Sequence, residues 1–163
     1  MTEQNANLAT SSPANQFPWP PVLLIALIAA AALATREWPL PWPGINDAPA
    51  HGIGLGFGVA GIVLIGWAVI TLRKHGTTFL PDRTATTLVT TGPFARFRNP
   101  IYLGDALVLL GAAEVTHSIW FVAAALVFGV LVTILQIVPE EHHLERQFGD
   151  AYLDYKSRTR RWI

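Results

Sequence analysis

Residues 52–72 read GIGLGFGVAGIVLIGWAVITL, and residues 119–138 read IWFVAAALVFGVLVTILQIV. These stretches of 21 and 20 residues contain no charged side chain. At about 1.5 Å of rise per residue, each would form a helix of about 30 Å, which is the thickness of the hydrocarbon core of a bilayer. The two stretches therefore predict transmembrane helices.

A third apolar stretch lies nearer the N-terminus. Residues 22–34 are apolar throughout and lie between Trp19 and Trp38, as is typical of a membrane span with tryptophans at its interfaces. A secretory signal is the alternative, but the first 19 residues contain no Lys or Arg, which such a signal requires. We therefore expect a membrane span here.

A fourth stretch, residues 101–115, is apolar apart from Asp105 and Glu114. The short link that follows it, residues 116–118, predicts a tight turn into the span that begins at residue 119. We expect four transmembrane helices in one all-α membrane domain. Its first half, residues 1–72, holds an N-terminal tail and two spans, and residues 73–163 hold a connector, a helical hairpin and a tail.

The composition agrees with a small membrane protein. Only 13% of the 163 residues are charged, the formal net charge is zero and there is no cysteine, whereas soluble domains carry about 25% charged residues. The absence of cysteine excludes disulfides and thiolate metal sites. Neutrality argues against a nucleic-acid partner held by bulk charge.

The basic residues indicate an orientation. Ten of the eleven Lys and Arg residues lie in the connector or the C-terminal tail, and only Arg36 lies on the other side. The positive-inside rule then places both termini in the cytoplasm. We expect a multi-pass protein of a bacterial inner membrane, in which Arg158, Arg160 and Arg161 anchor the tail to anionic lipid.

The alternating glycines of residues 52–58 allow two interpretations. A phosphate-binding loop requires a preceding strand and a helix N-terminus, and an apolar helix offers neither. Gly54 and Gly58, together with Gly52, Gly56 and Ala60, fit the pattern of small residues four apart that is typical of close helix packing in membranes. We expect packing.

Two polar blocks flank the predicted hairpin. Residues 86–104 read TTLVTTGPFARFRNPIYLG, and residues 136–149 read QIVPEEHHLERQFG. Because the hairpin begins and ends on one side of the membrane, the two blocks meet there. Adjacent carboxylates at Glu140 and Glu141 repel each other unless cations or hydroxyls meet them.

The two blocks resemble the isoprenylcysteine carboxyl methyltransferase family, which shares its catalytic half with phospholipid N-methyltransferases. The shared motifs are GPF at residues 92–94, RNPIYLG at 98–104, EE at 140–141, and FG at 148–149 followed by Tyr152 and Tyr155. The resemblance covers residues 76–163. It implies an enzyme that uses S-adenosylmethionine and releases S-adenosylhomocysteine, with the connector and a C-terminal amphipathic helix forming the cofactor site.

The resemblance also implies roles for individual residues. Cofactor-binding roles fall on Thr86, Thr87, Leu88, Val89, Gly92, Pro93, Phe94, Asn99, Pro100, Ile101, Tyr102, Glu140 and Glu141. Catalytic roles fall on Asn99, Tyr102, Gln136 and Glu140. Substrate contacts are expected from Gln136, Arg98 and Asp105. Asp105 is included because a carboxylate within a membrane span is a candidate functional group. The alternatives are that Asp105 pairs with an arginine of the connector or lies at the membrane interface.

Two positions depart from the family pattern. Asn99 stands where the family has histidine, so it cannot act as an acid or base near neutrality. Gln136 stands where the carboxyl methyltransferases have the arginine that grips the substrate carboxylate, and a neutral amide binds a carboxylate less well. The methyl acceptor is therefore left open among a carboxylate, an amine and a thiol.

The leading hypothesis is an integral-membrane methyltransferase, like the isoprenylcysteine enzymes, whose lipid-like or isoprenoid acceptor enters from the bilayer. The alternatives are an aminophospholipid N-methyltransferase, a reductase-type relative that binds a nicotinamide cofactor, and a non-catalytic four-helix module. The Glu140 and His143 spacing does not predict a metal, since di-metal helical sites need two copies of it. We expect membrane lipids as partners and no nucleic acid.

Overall fold

The computed structural model describes residues 18–41, 48–76 and 87–163. Its helices are α1 (Trp19–Glu37), α2 (Ala48–Lys74), α3 (Pro100–Thr116), α4 (Ile119–Val132), α5 (Val138–Phe148) and α6 (Asp150–Arg158), with a 3-10 turn at Gly92–Ala95 and a π-helical turn at Thr133–Ile137. Within those ranges there is no strand, which confirms the all-α expectation.

Three helices in the described ranges are long and apolar enough to cross a membrane, namely Trp19–Glu37, Pro49–Lys74 and Ile119–Phe148. The fourth predicted span corresponds to α3, whose 17 residues rise about 25 Å. Many large apolar side chains on α1, α2 and α4 are exposed, among them Ile25, Ile62 and Leu126. That exposure suits a surface covered by lipid rather than by water.

The helix that begins at Ile119 continues past the predicted limit of residue 138 and ends at Phe148, with the π turn in its middle. Pro139 explains the π turn. A proline within a helix lacks an N–H and clashes with the carbonyl four residues earlier, here that of Leu135. Widening the helix over Thr133–Ile137 relieves that clash without breaking the helix.

Helices α2 and α3 pack with their backbones almost in contact. A Cβ placed on Gly58 would lie 3.2 Å from the Cα of Gly111, and one placed on Gly61 would lie 2.6 Å from the carbonyl oxygen of Gly104. The packing interpretation is therefore confirmed for Gly58. The packing interpretation is wrong for Gly52 and Gly56, which have nothing within 4 Å of their Cβ positions; Gly56 faces away from α3.

We call this close contact between α2 and α3 the α2–α3 seam. Glu114 lies at the end of the seam near the start of α2. Its side chain packs against Gly54, is 4% exposed, and lies 2.7 Å from Nδ1 of His51. The carboxylate that interrupts the fourth apolar stretch is therefore buried between the two helices and paired there.

Near the same end, α1 is joined to the start of α4. The Ser118 hydroxyl accepts a hydrogen bond from the Trp120 amide at the first turn of α4 and lies 2.7 Å from the Thr35 hydroxyl of α1. His117 adopts a left-handed conformation with φ 53°, so α3 ends and α4 begins within two residues. The tight turn expected at residues 116–118 is confirmed.

Candidate active site

Residues 87–103 and 136–163 come together at one end of the helices, which we call the polar end. The C-terminal tail lies against the segment that precedes α3: the Arg98 amide donates to the carbonyl of Arg160 at 2.8 Å, and the Arg160 amide donates to the carbonyl of Arg96 at 3.0 Å. The Asn99 side-chain amide donates to the carbonyl of Arg161 at 3.1 Å. The last residues of the chain therefore form one wall of the polar end.

Glu141 is held by two arginines, and we call Arg98, Glu141 and Arg161 the Glu141 latch. Arg161 donates from Nε at 3.0 Å and from Nη2 at 2.7 Å to the two carboxylate oxygens, and Arg98 donates from Nε at 3.3 Å. Glu141 is 5% exposed, and a buried carboxylate is stable only with such partners. Its hydrogen bonds also hold the Arg161 pKa above the usual value for arginine.

Arg98 joins the latch to the end of α6. Its Nη1 donates to the carbonyls of Lys156 and Thr159, at 3.0 and 2.6 Å. These carbonyls belong to the last turn of α6 and to the residue after it, where a helix has no backbone donors left to offer. The Arg98 guanidinium therefore donates hydrogen bonds both to the free carbonyls at the end of α6 and to the Glu141 carboxylate.

Glu140 has a different environment, although it is the neighbour of Glu141. The Tyr102 hydroxyl donates to Oε2 at 3.5 Å, the long limit of a hydrogen bond. The buried Gln136 side chain forms a second hydrogen bond to Glu140. In the part of the chain that the structure describes, no Lys or Arg forms an ion pair with Glu140. Within the described ranges, its hydrogen-bond partners are neutral groups.

The 3-10 turn joins the polar end to both α2 and α6. Gly92 has φ +60°, and its Cβ position lies 2.7 Å from the Thr71 hydroxyl oxygen at the end of α2, so this site requires glycine for conformation and for space. The Tyr155 hydroxyl of α6 donates to the carbonyl of Phe94 at 2.8 Å. Burial raises the Tyr155 pKa to about 12 and also raises that of Tyr152, so both phenols stay protonated near neutral pH.

The structure brings together several of the residues proposed from sequence. Tyr102 near the start of α3 and Gln136 in the π turn both form hydrogen bonds to Glu140. Asn99, which precedes α3, is 9% exposed and is hydrogen-bonded to the tail. Asp105 lies one turn beyond Tyr102 on α3, close enough for its charge to act on the Tyr102 hydroxyl.

Other proposed residues form no hydrogen bond or ion pair with Glu140 in the described ranges, or are already bound to other groups. Thr86 lies outside the described residues, Thr87 is exposed and Val89 is buried. Arg98 and Glu141 are occupied in the latch. Contact of Arg98 with substrate, and of Glu141 with cofactor, remain predictions.

Sequence reasoning named Arg161 only as a lipid anchor and weighed His143 only as a metal ligand. Arg161 was expected to anchor the tail to lipid, whereas its guanidinium binds Glu141. The adjacent glutamates and the arginine-rich tail were the sequence signals for this contact. His143 is 8% exposed, and its Nε2 meets no hydrogen-bond partner among the described residues. The described ranges contain no group of three or more His, Asp or Glu placed to hold a metal ion.

Comparison with known proteins gives a family and two relatives. The model of the family described as "Phospholipid methyltransferase" matches residues 49–151, more than half of the chain. The nickel-cobalt-cadmium resistance protein NccN of Alcaligenes xylosoxydans xylosoxydans is 31% identical over 105 residues, which are 61% of this chain and 48% of that protein. An uncharacterized protein of Haemophilus influenzae is 37% identical over 68 residues, which are 39% of this chain and 100% of that protein. The chain thus matches about half the length of NccN.

Proposed function

The chain belongs to the phospholipid methyltransferase family, and we propose that it transfers a methyl group from S-adenosylmethionine to the amine of a membrane phospholipid. The family and the three long apolar helices make the chain a membrane methyltransferase. The donor, the acceptor and the residues that bind them are the proposal.

The observation that carries the proposal is the contrast between Glu140 and Glu141. The charge of Glu141 is neutralised by two guanidinium groups, whereas the partners that the described residues give Glu140 are the neutral donors Tyr102 and Gln136. A carboxylate near a membrane surface is costly unless a cation meets it. S-Adenosylmethionine carries an ammonium and a sulfonium, so the donor set at Glu140 fits it.

Glu140 therefore holds the ammonium group of the cofactor, with Tyr102 and Gln136 fixing the orientation of the carboxylate. Asn99 and the first turn of α3 border the same space, and the hydrogen bond from Asn99 to the tail fixes that border. The backbone of Phe94 is held by the hydroxyl of Tyr155, and the Phe94 ring would contact the adenine.

Gln136 favours an amine over a carboxylate acceptor. It is 1% exposed and hydrogen-bonded to Glu140, and it occupies the position where the resemblance expects the carboxylate-binding arginine. Arg98, another candidate for that role, binds Glu141 and two carbonyls. An ammonium acceptor, in contrast, is attracted by the carboxylate of Asp105.

We propose that the protein lies in the membrane with its polar end in the cytoplasm. Arg73, Lys74 and the cations of the tail lie on that side, and Arg36 lies on the other. Helix α3 is the fourth span, shortened because the chain turns back at His117. The acceptor enters from the bilayer with its headgroup at the polar end, while the water-soluble donor comes from the cytoplasm.

The work of the protein in this reaction is positioning. The bound cofactor supplies a methyl group on sulfonium, which is already activated for displacement. Holding two reactants in line contributes several kcal/mol to such a reaction. The Glu141 latch keeps the tail over the polar end and excludes water from it, and Glu140 and Asn99 fix the two sides of the space between α3 and α5.

The direct test is methyl transfer by purified protein from labelled S-adenosylmethionine into vesicles that contain phosphatidylethanolamine. We expect label in the lipid headgroup, and none with a matched phosphatidylglycerol vesicle. Label in a prenylcysteine substrate instead would support the carboxyl methyltransferase hypothesis. Binding of NADPH without binding of S-adenosylmethionine would support the reductase hypothesis, and binding of neither would support a non-catalytic module.

A further inference from the structure

Asp105 is a carboxylate in the second turn of the span α3. In the part of the chain that the structure describes, it forms no hydrogen bond and no ion pair. The side chain is only half-buried, and its oxygens reach the molecular surface. An unpaired carboxylate within a membrane span is costly, and such groups are typical of sites that bind a cation or move a proton.

The helical register places Asp105 between the contact with α2 and the candidate site. Gly104 faces α2, where the carbonyl oxygen of Gly61 lies 2.9 Å from its Cβ position. With 3.6 residues per turn, Asp105 lies between that face of α3 and the face that carries Tyr102. Its side chain leans toward the N-terminus of α3, and its charge acts on the Tyr102 hydroxyl. That hydroxyl is hydrogen-bonded to Glu140, so one phenol lies near both carboxylates.

The proposed reaction brings two ammonium groups to these two carboxylates. The cofactor carries one ammonium, which Glu140 holds, and the acceptor phospholipid carries the other. Asp105 lies about 4.5 Å farther along α3 than Tyr102, in the direction of the membrane interior. Because the acceptor enters from the bilayer, Asp105 is the carboxylate that its ammonium meets.

The acceptor also has to lose a proton before its nitrogen can attack. An alkyl ammonium has a pKa of about 10, so it is protonated near neutral pH. In water, a carboxylate does not take this proton readily, because water stabilises both charged groups. In an apolar setting the charged forms lose that stabilisation, and transfer of the proton leaves two neutral groups. A carboxylate within a membrane span is therefore suited to this step.

We propose that Asp105 is a catalytic residue that binds the acceptor ammonium and accepts one of its protons, an inference that rests on the proposed function. An N–H bond of the ammonium breaks, its electron pair stays on nitrogen, and the proton moves to a carboxylate oxygen. The nitrogen pair then forms the new N–C bond to the methyl group, while the C–S pair returns to sulfur and leaves a neutral thioether. Asp105 releases its proton to water at the polar end.

The test compares Asp105→Asn with Asp154→Asn in the phosphatidylethanolamine vesicle assay. Asparagine keeps the shape of the side chain but cannot take up the proton. We expect kcat to fall about 100-fold in Asp105→Asn, as for loss of a general base, with an unchanged Kd for S-adenosylmethionine because Glu140 is intact. Asp154→Asn should behave as wild type, since Asp154 lies at the surface and pairs there with Arg158.

An acceptor that is already neutral separates proton transfer from a structural role. A phospholipid whose headgroup ends in an aminooxy group (–O–NH2) is neutral near neutral pH, because the oxygen withdraws electrons from the nitrogen. It needs no proton acceptor, so the loss of kcat in Asp105→Asn should shrink from about 100-fold to about tenfold or less. The Tm of Asp105→Asn should be no lower than that of wild type, because the variant removes an unpaired charge from a membrane span.

A second variant, Asp105→Ser, has a smaller neutral side chain and should show the same losses. The inference is overturned if both variants keep the kcat of Asp154→Asn. It is also overturned if a variant that binds the cofactor normally loses the same factor in kcat with both acceptors. A wild-type protein that binds the cofactor but methylates no amine lipid overturns the proposed function, whereas wild-type activity that survives the loss of Asp105 overturns this inference alone.

Discussion

The α2–α3 seam and the polar end are held together by opposite means. At the seam, the absence of side chains at Gly58 and Gly111 lets two backbones touch. At the polar end, charged side chains from distant parts of the chain converge on the buried Glu141. The first contact depends on shape and the second on charge, so they should respond differently to substitution and to salt.

The largest expected effect is at the latch. Glu141→Ala leaves Arg98, whose side chain is 11% exposed, without its carboxylate, and should lower the free energy of unfolding by about 3 kcal/mol, at the low end for a buried pair because Arg161 is partly exposed. Thermal unfolding in detergent measures the loss. Glu145→Ala is the control, since its pair with Lys156 lies at the surface and should contribute less than about 1 kcal/mol. Equal losses in the two variants would contradict the latch.

The seam should be sensitive to volume and insensitive to salt. A side chain at Gly111 would meet the backbone of Gly58, so Gly111→Val should cost about 1–3 kcal/mol by overpacking. Gly56→Val is the matched control because its Cβ position is open. The difference in Tm between the two variants should persist in high salt. A Gly111→Val protein as stable as the Gly56→Val protein would contradict the close packing of α2 against α3.

A smaller effect is expected where α6 joins the connector. Tyr155→Phe removes the hydrogen bond to the carbonyl of Phe94 and should cost about 1 kcal/mol. Tyr152→Phe, which removes no hydrogen bond that the structure describes, should cost less.

Alkaline titration gives a second view of Tyr155. Its pKa rises from 10.0 to about 12 on folding, so the unfolded chain loses this proton first. Wild-type stability should therefore fall as the pH rises between these values, and Tyr155→Phe should reduce that fall. A pH dependence equal in both proteins would contradict the burial of this phenol.

The seam was easier to predict from sequence than the polar end, for a physical reason. Charge-free runs and glycines four apart are local patterns, and they predicted the helices and the contact at Gly58. The alternation alone did not show that Gly56 faces away from α3. That choice depends on which face of α2 the partner helix covers, a tertiary fact.

The polar end depends on contacts between residues far apart in the chain. The pairing of Arg161 with Glu141 spans 20 residues, and an arginine in a basic tail is equally typical of a lipid anchor. Pro139 predicted a disturbance in the helix, but the continuation of the helix to Phe148 follows from how the π turn accommodates it. The motif residues were identified by resemblance, whereas the different hydrogen-bond partners of Glu140 and Glu141 could be seen only in the structure.

The most direct test of the account is calorimetric titration of the detergent-solubilised protein with S-adenosylmethionine. The account predicts one site per chain, an affinity reduced at least about tenfold in Glu140→Gln, equivalent to about 1.4 kcal/mol, and no change in Glu145→Gln. A wild-type protein that does not bind S-adenosylmethionine or S-adenosylhomocysteine, or a Glu140→Gln variant that binds as tightly as wild type, would contradict it.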